Sequence, residues 1–333
     1  MNDDSHHTER RKLGTTDIEI STVAMGCWPI AGMTSLNVND EDSLRTLKAA
    51  VDTGVNFFDT AHCYGRNGES ERLIAQSLIS GSNAPDRSQL VLATKGGIQW
   101  GRDGKQILDG SPATLQLQCE ESLRRLQTEY IDLLYLHAPD PKTPVAKSAE
   151  AMRKIMESGK TRSIGVSNFN LQQLHDFHAI CPVTAIQPPY NMLQRQIEKD
   201  IIPWCVENQV SVLVYWPLMK GLLAGKLRRD HQFQPGDGRP KYAMFQGDEW
   251  RKNQDFVDQL RIIANELGKS VAQIVVNWTI NQPGITAALC GAKRATQIEE
   301  TAGAMGWKLD APMEELVNTA LQQRGTPVPM SAV

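Results

Sequence analysis

Four side chains in this sequence could together move a proton onto an oxygen: Asp59, Tyr64, Lys95 and His137. Asp59 closes the apolar run Val55-Asn56-Phe57-Phe58, and the loop Thr60-Ala61-His62-Cys63 brings a phenol back at Tyr64. Lys95 closes Leu90-Val91-Leu92-Ala93-Thr94, and His137 closes Ile131-Asp132-Leu133-Leu134-Tyr135-Leu136. A phenol with a pKa of about 10 is too weak an acid to donate efficiently at neutral pH. A nearby ammonium favours the phenolate and is expected to lower that value. A carboxylate keeps the ammonium charged and oriented despite burial. A neutral imidazole can hydrogen-bond a carbonyl oxygen and fix its direction. Such a set suits protonation of an oxygen that is gaining negative charge, as in carbonyl reduction. Each residue alone has a blander reading: a solvated loop charge, a hydrogen-bonded structural histidine, a loop-capping acid. Recurrence at the ends of successive apolar runs argues for a shared pocket.

Those runs belong to a longer series. Strand-like segments fall near 23–27, 55–59, 90–95, 131–137, 162–167, 183–187, 211–215 and 286–290. Helical patterns alternate with them near 40–53, 68–80, 112–128, 145–158, 170–179 and 196–208, with a longer pair over 249–281. Ser111-Pro112 reads as an N-cap followed by a first-turn proline, Asn39-Asp40-Glu41-Asp42 as an acidic helix start, and Gly159 as a helix stop. Residues 10–21 read as a hairpin about Gly14-Thr15-Thr16-Asp17. Eight strand–helix units without a linker predict an α/β fold of the closed (β/α)8 TIM-barrel type, whose active site lies at the carboxyl ends of the strands. One barrel domain is expected over 10–310, between a polar, flexible terminus at 1–9 and a tail at 311–333. In that tail Met313, Leu316, Val317 and Leu321 mark an amphipathic helix, packed on the barrel or in an interface; no feature specifies an oligomeric state.

The 333 residues are 41% hydrophobic and 22% charged, with a formal charge of −3, the values of an ordinary globular protein. Neither nucleic acid nor an anionic membrane is an expected partner. No apolar stretch reaches the length of a membrane span, and Met1-Asn2-Asp3-Asp4-Ser5-His6-His7 lacks the apolar centre of a secretion signal. Six scattered cysteines without a CxxC pair fit reduced, buried thiols in a cytoplasmic protein.

At this point the chain resembles an aldo-keto reductase. Phe58-Asp59-Thr60-Ala61-His62-Cys63-Tyr64-Gly65, continued by Gly68-Glu69-Ser70-Glu71, is similar to the first signature of that family. Gly159-Lys160-Thr161-Arg162-Ser163-Ile164-Gly165-Val166-Ser167-Asn168-Phe169 resembles its fifth-strand motif. Tyr215-Trp216-Pro217-Leu218, with Gly221-Leu222-Leu223-Ala224-Gly225-Lys226, resembles the segment after strand seven. The resemblance covers roughly 10–308 and implies a barrel with the hairpin closing its floor and extra loops and helices at the opposite face. It implies an NAD(P)H-dependent reductase of a small-molecule aldehyde or ketone. Tyr64 would be the general acid, Lys95 the group that tunes it, Asp59 the partner of Lys95, and His137 the residue orienting the carbonyl. Ser167, Asn168 and Gln187 would hold the nicotinamide carboxamide, with Tyr215 stacked on its ring. Trp216, Pro217, Leu218 and Gly225 would line the cofactor groove, and Gly291, Lys293, Arg294, Gln297 and Glu300 would hold the adenosine end. Lys293 and Arg294 ahead of a helix start suit a phosphate and favour NADP(H), with NADH the alternative. The chain departs from the family's usual pattern at Thr301, where an adenine-binding Asn is common, and at Trp216, where many members carry Ser.

Trp28 and Trp100 lie on candidate substrate loops at 28–38 and 97–110, rim packing being the alternative; the 218–248 loop could close over a cofactor. Cys63 adjoins the acid but has no evident base partner in the sequence, which argues against a catalytic thiol. Gly159-Lys160-Thr161 lacks the upstream glycine of a P-loop, and no GxGxxG follows a strand. His175 and His178 lack further ligands, so no metal site is expected. Two rival functions remain: a cofactor-binding regulatory or channel-associated subunit with slow turnover, and a Schiff-base aldolase using Lys95.

Overall fold

Alternation between two apolar layers along the short, buried strands sets the architecture. Phe57 faces one apolar layer and Phe58 another; Leu133 and Tyr135 likewise oppose Leu134 and Leu136. Successive side chains of a strand point to opposite faces, so a sheet apolar on both must be covered on both. In the computed structural model, which describes residues 8–33 and 36–328, the sheet closes on itself. Of the expectations above, those for 1–7, for Thr34 and Ser35 in the first substrate loop, and for 329–333 lie outside the described residues.

The hairpin is β1 (Arg10–Lys12) with β2 (Glu19–Ser21). The barrel strands begin with β3 (Val23–Gly26), β4 (Phe57–Asp59) and β5 (Val91–Gly96). A second hairpin, β6 (Ile98–Trp100) with β7 (Gln106–Leu108), rises from the end of β5. The barrel resumes with β8 (Leu133–Leu136), β9 (Ile164–Ser167), β10 (Ala185–Gln187), β11 (Ser211–Tyr215) and β12 (Ala287–Gly291). All eight strands pair in parallel, and β12 pairs β3 from Ala288↔Val23 to Gly291↔Gly26. This is the closed (β/α)8 barrel, with every strand in a predicted position.

Ala24, Phe57, Val91, Ala93, Leu133, Tyr135, Ala185, Leu213, Ala287 and Leu289 fill the interior, and Leu13, Ile18 and Ile20 of the first hairpin join them as its floor. Gly165 is demanded here: a Cβ would lie 2.5 Å from the Tyr135 ring and 2.9 Å from the Ala185 carbonyl. A tyrosine can cross the barrel only because β9 offers no side chain opposite it.

Helices α1 (Asp40–Asp52), α2 (Glu69–Ile74), α3 (Pro112–Leu126), α4 (Val145–Glu157) and α5 (Leu171–His178) follow successive strands. Asn39 caps α1 by accepting from the Asp42 N–H, Ser111 caps α3 ahead of Pro112, and Asn170 with Gln173 forms a capping box on α5. The predicted 68–80 helix changes pitch, α2 running into a π-helical turn over Ala75–Ile79. The predicted 196–208 helix divides into a single turn at Gln196–Glu198 and α6 (Ile201–Glu207). Pro203 gives the reason: without an N–H it belongs in a first turn, and Asp200 caps the restart. The remaining helices are α7 (Gly247–Glu266), α8 (Val271–Ile280), α9 (Ala295–Ala302) and α10 (Ala311–Arg324). α10 packs on α7 of its own barrel through Val317 and Ala320, while Leu316, expected on the apolar face, is exposed.

Candidate active site

Three strand ends and one loop build a buried polar knot at the barrel mouth. Asp59 ends β4, Lys95 is the penultimate residue of β5, and His137 follows β8. The loop after β4 folds back because its backbone is held: His62 N–H donates to the Lys95 carbonyl (3.0 Å) and Tyr64 N–H to that of Ala61 (2.9 Å). The Lys95 ammonium donates to Asp59 Oδ1 (2.5 Å), the Thr60 carbonyl (2.8 Å) and the Tyr64 hydroxyl (3.3 Å). From across the barrel, Gln187 Nε2 donates to Asp59 Oδ2 at 2.7 Å. Lys95 and Asp59 are 1% and 3% exposed, so each charge faces a partner rather than water. The His137 ring meets Tyr64 edge-on at 5.8 Å.

Burial dominates the electrostatics. It pushes the Tyr64 phenol well above its ordinary range, and the Asp59 carboxylate adds to the rise. The expected net lowering by Lys95 is outweighed: that ammonium faces Asp59 at 2.5 Å, closer than the phenol at 3.3 Å. The site holds Tyr64 as the protonated phenol, the form that can donate. Burial also raises the Asp59 carboxyl, against the ammonium of Lys95 and the amide of Gln187. His137 is held well below the usual imidazole range by burial and then by Lys95, and is neutral.

A second cluster adjoins the knot. Asn168, at φ +60° just beyond β9, accepts from the Tyr215 hydroxyl (2.8 Å) and donates to the His137 carbonyl (3.0 Å) and Ser167 Oγ (3.2 Å). Ser167 Oγ donates to the Gln187 carbonyl (2.9 Å) and keeps a lone pair for an outside donor. Ser167, Asn168, Gln187 and Tyr215 are thus brought together at the ends of β9, β10 and β11. Trp216, at φ +59°, starts a turn through Pro217 and Leu218 in which Lys220 lies 4.1 Å from the Trp216 ring and 4.7 Å from that of Tyr242. Gly225, at φ +71°, lets the chain pass Val271 of α8, where a Cβ would come within 2.7 Å.

The β12–α9 junction carries the remaining candidates. Arg294 is the N-cap residue of α9, yet no side chain caps that helix and its first turn has no acid. Open N–H groups beside two cations suit a phosphate. Gln297 accepts from the Lys293 N–H (2.9 Å), the Lys293 ammonium donates to the Leu36 carbonyl (2.6 Å), and Glu300 pairs with Lys226 (2.9 Å). Gly291 lies against Pro29, whose ring a Cβ would approach to 3.0 Å. Ser167, Asn168, Gln187 and Tyr215 thus offer polar atoms and a ring at the ends of β9, β10 and β11, and the β12–α9 junction offers cations beside open N–H groups.

Trp28 packs edge-on against Tyr64 at 4.9 Å, and the Trp100 indole donates to the carbonyls of Cys63 (2.9 Å) and Gly65 (3.0 Å). Both tryptophans therefore border Tyr64. No base partner of Cys63 was evident in the sequence; in the structure His137 Nδ1 lies 3.6 Å from its sulfur. That contact, the Thr60 carbonyl and the Lys220 stack went unforeseen. Thr60 and Cys63 lay inside the recognised segment 58–65, and Lys220 between the recognised pieces 215–218 and 221–226.

A sequence model described as the Aldo/keto reductase family matches residues 22–320. The chain is 35% identical over 315 residues to "Aldo-keto reductase YhdN" of Bacillus subtilis, covering 94% of each. It is 30% identical over 298 residues to "Probable aldo-keto reductase 1" of Glycine max, covering 90% of this chain and 84% of the relative. Among solved structures, the glycerol dehydrogenase AKR11B4 from Gluconobacter oxydans superposes with a TM-score of 0.88 at 35% identity, covering 98% and 99% of the two chains. The aldo-keto reductase AKR11C1 from Bacillus halodurans, in its holo form, shares the fold at a TM-score of 0.75 and 24% identity.

Proposed function

We propose, on the premise that this chain belongs to the aldo/keto reductase family, that it reduces an aldehyde or ketone to the alcohol with Tyr64 as general acid and NADPH as cofactor. Membership makes it an NAD(P)H-dependent oxidoreductase of small carbonyl compounds. The observation that carries the finer reading is the reach of one ammonium, Lys95 Nζ, to both Asp59 Oδ1 and the Tyr64 hydroxyl.

A reduced nicotinamide bound in the groove would supply the hydride for the carbonyl carbon. The chain's residues handle the rest. Tyr64 gives its O–H proton to the carbonyl oxygen as that oxygen becomes an alkoxide. Lys95, fixed by Asp59 and Thr60, stabilises the phenolate left behind, and neutral His137 orients the carbonyl through a ring N–H. Ser167, Asn168 and Gln187 would hold the carboxamide, Tyr215 would stack on the ring, and Trp216, Pro217, Leu218 and Gly225 would line the groove. Gly291, Lys293, Arg294, Gln297 and Glu300 would take the adenosine end, Trp28 and Trp100 the substrate. Three oxygens around Lys95 Nζ form the setting of an ammonium, not of a free amine nucleophile, which argues against the Schiff-base alternative. Among the described residues no helix is long and apolar enough to cross a membrane. The buried free thiols support a cytoplasmic setting.

The test is Tyr64→Phe against a panel of aldehydes and ketones, with glyceraldehyde and dihydroxyacetone included because one similar structure is a glycerol dehydrogenase. Turnover should fall about 100-fold or more, the usual range for a lost acid, while fluorescence titration shows unchanged NADPH binding. Near-wild-type turnover would overturn the assignment. Equal kcat/KM with NADH and NADPH would end the proposed preference.

A further inference from the structure

Cys63 and His137, 74 residues apart in the chain, meet beside Tyr64 with Sγ 3.6 Å from Nδ1. Both are anchored by other contacts. The Cys63 carbonyl accepts from the Trp100 indole, the His137 N–H donates to the Gly96 carbonyl (2.9 Å), and the His137 carbonyl accepts from Asn168. Cys63 is 1% exposed in an apolar patch with Ala61 and Ile98, and beyond its own backbone its sulfur meets His137 Nδ1.

A neutral imidazole carries one proton on two nitrogens, and its neighbours decide which nitrogen donates. We propose that Cys63 is a positioning residue: its S–H donates to Nδ1 and fixes His137 in the tautomer with the proton on Nε2. The assignment rests on the reading above that His137 faces the substrate carbonyl.

Both groups are in the state this needs. Burial, opposed by Lys95, pushes the Cys63 thiol up to about 12, and burial with Lys95 holds the imidazole neutral. The contact is therefore thiol to nitrogen, not thiolate to imidazolium. Nε2 makes no hydrogen bond to another described residue, and His137 is half-buried. With the proton on Nε2, the ring donates to a carbonyl oxygen. In the opposite tautomer Nδ1–H would face sulfur, a poor acceptor, and the Nε2 lone pair would repel the carbonyl it should bind.

The deciding measurement is a long-range proton–nitrogen NMR correlation of the histidine side chains in the full-length wild-type protein. His137 is assigned among the seven histidines by the signals missing from His137→Asn. Nδ1 should give the shift of an unprotonated nitrogen and Nε2 that of a protonated one. Nδ1 found protonated, or the two shifts averaged, would overturn the proposal. Cys63→Ala should move both shifts toward the average and lower kcat/KM about fivefold, the worth of one ordinary hydrogen bond, with NADPH affinity unchanged. Cys63→Ser should restore the tautomer. An alanine variant that keeps wild-type shifts would show the thiol to be irrelevant. The NMR readout needs no turnover: the expected tautomer in an inert protein sinks the functional reading alone, and the wrong tautomer in an active one sinks this inference alone.

Discussion

Replacing Lys95 with methionine separates the charge from the shape of the site. The side chain it replaces is buried and lies 2.5 Å from an Asp59 carboxylate that is itself buried. Without the ammonium, Asp59 keeps only the Gln187 amide at 2.7 Å. Removing one member of a buried pair costs about 3–5 kcal/mol, because a charge is left uncompensated. Unfolding entropy of about 2.1 cal/mol/K per residue over 333 residues converts that to a fall of about 4–7 °C in Tm. The deficit should depend on pH in a definite direction. Burial already raises the Asp59 carboxyl, and loss of Lys95 raises it further. A carboxyl whose folded pKa exceeds its unfolded value of about 3.9 favours the fold below that value and loses that contribution as pH rises through the folded pKa. Lys95→Met should therefore be most impaired at neutral pH and recover on acidification toward about pH 4, relative to wild type at each pH. Lys95→Met/Asp59→Asn, with neither charge, should lie within about 1 kcal/mol of wild type, its difference from wild type flat with pH. Thermal melts of the three proteins across that range are the assay. A single variant as stable as wild type at neutral pH, or one that worsens on acidification, would refute the reasoning.

Three further outcomes are expected. With Tyr64 held well above 10 and His137 well below its usual range, kcat/KM for carbonyl reduction should be flat from about pH 6.5 to about 10; a basic limb near about pH 8 would show the phenol losing its proton early. Arg324, with a side chain 1% exposed, pairs with Glu249 and donates to Asn253 Oδ1 at 2.8 Å. Arg324→Met should cost about 3 kcal/mol and expose the end of α10 to limited proteolysis, read by mass spectrometry. All six cysteines are buried, so a thiol reagent should label none in the native protein and all six after unfolding.

The barrel was legible because its strands are short apolar runs flanked by turn signals, several of them closing on or beside a polar residue at the mouth. Asp59, Lys95 and His137 announced themselves by that position. What escaped was set by packing across the molecule. Gln187 reaches Asp59 over 128 residues, and Cys63 reaches His137 over 74; no local period encodes either contact. The direction of the Tyr64 shift was missed for a related reason: residue types reveal that an ammonium is near, but the carboxylate that claims it and the depth of burial need coordinates. The β6–β7 hairpin was read only as a loop, being three-residue strands without a strong alternation.

The floor of the barrel bears on how the chain must be made. Arg11, in the middle of β1, donates to the carbonyls of Ile280 (2.6 Å) and Ile285 (2.8 Å), 269 and 274 residues downstream, and β3 finds its second neighbour only in β12. The ring therefore shuts only after β12 has left the ribosome. Until then the growing sheet carries two unpaired margins, each able to recruit foreign strands. Biosynthesis of this molecule is a race between arrival of its final strand and capture of its first.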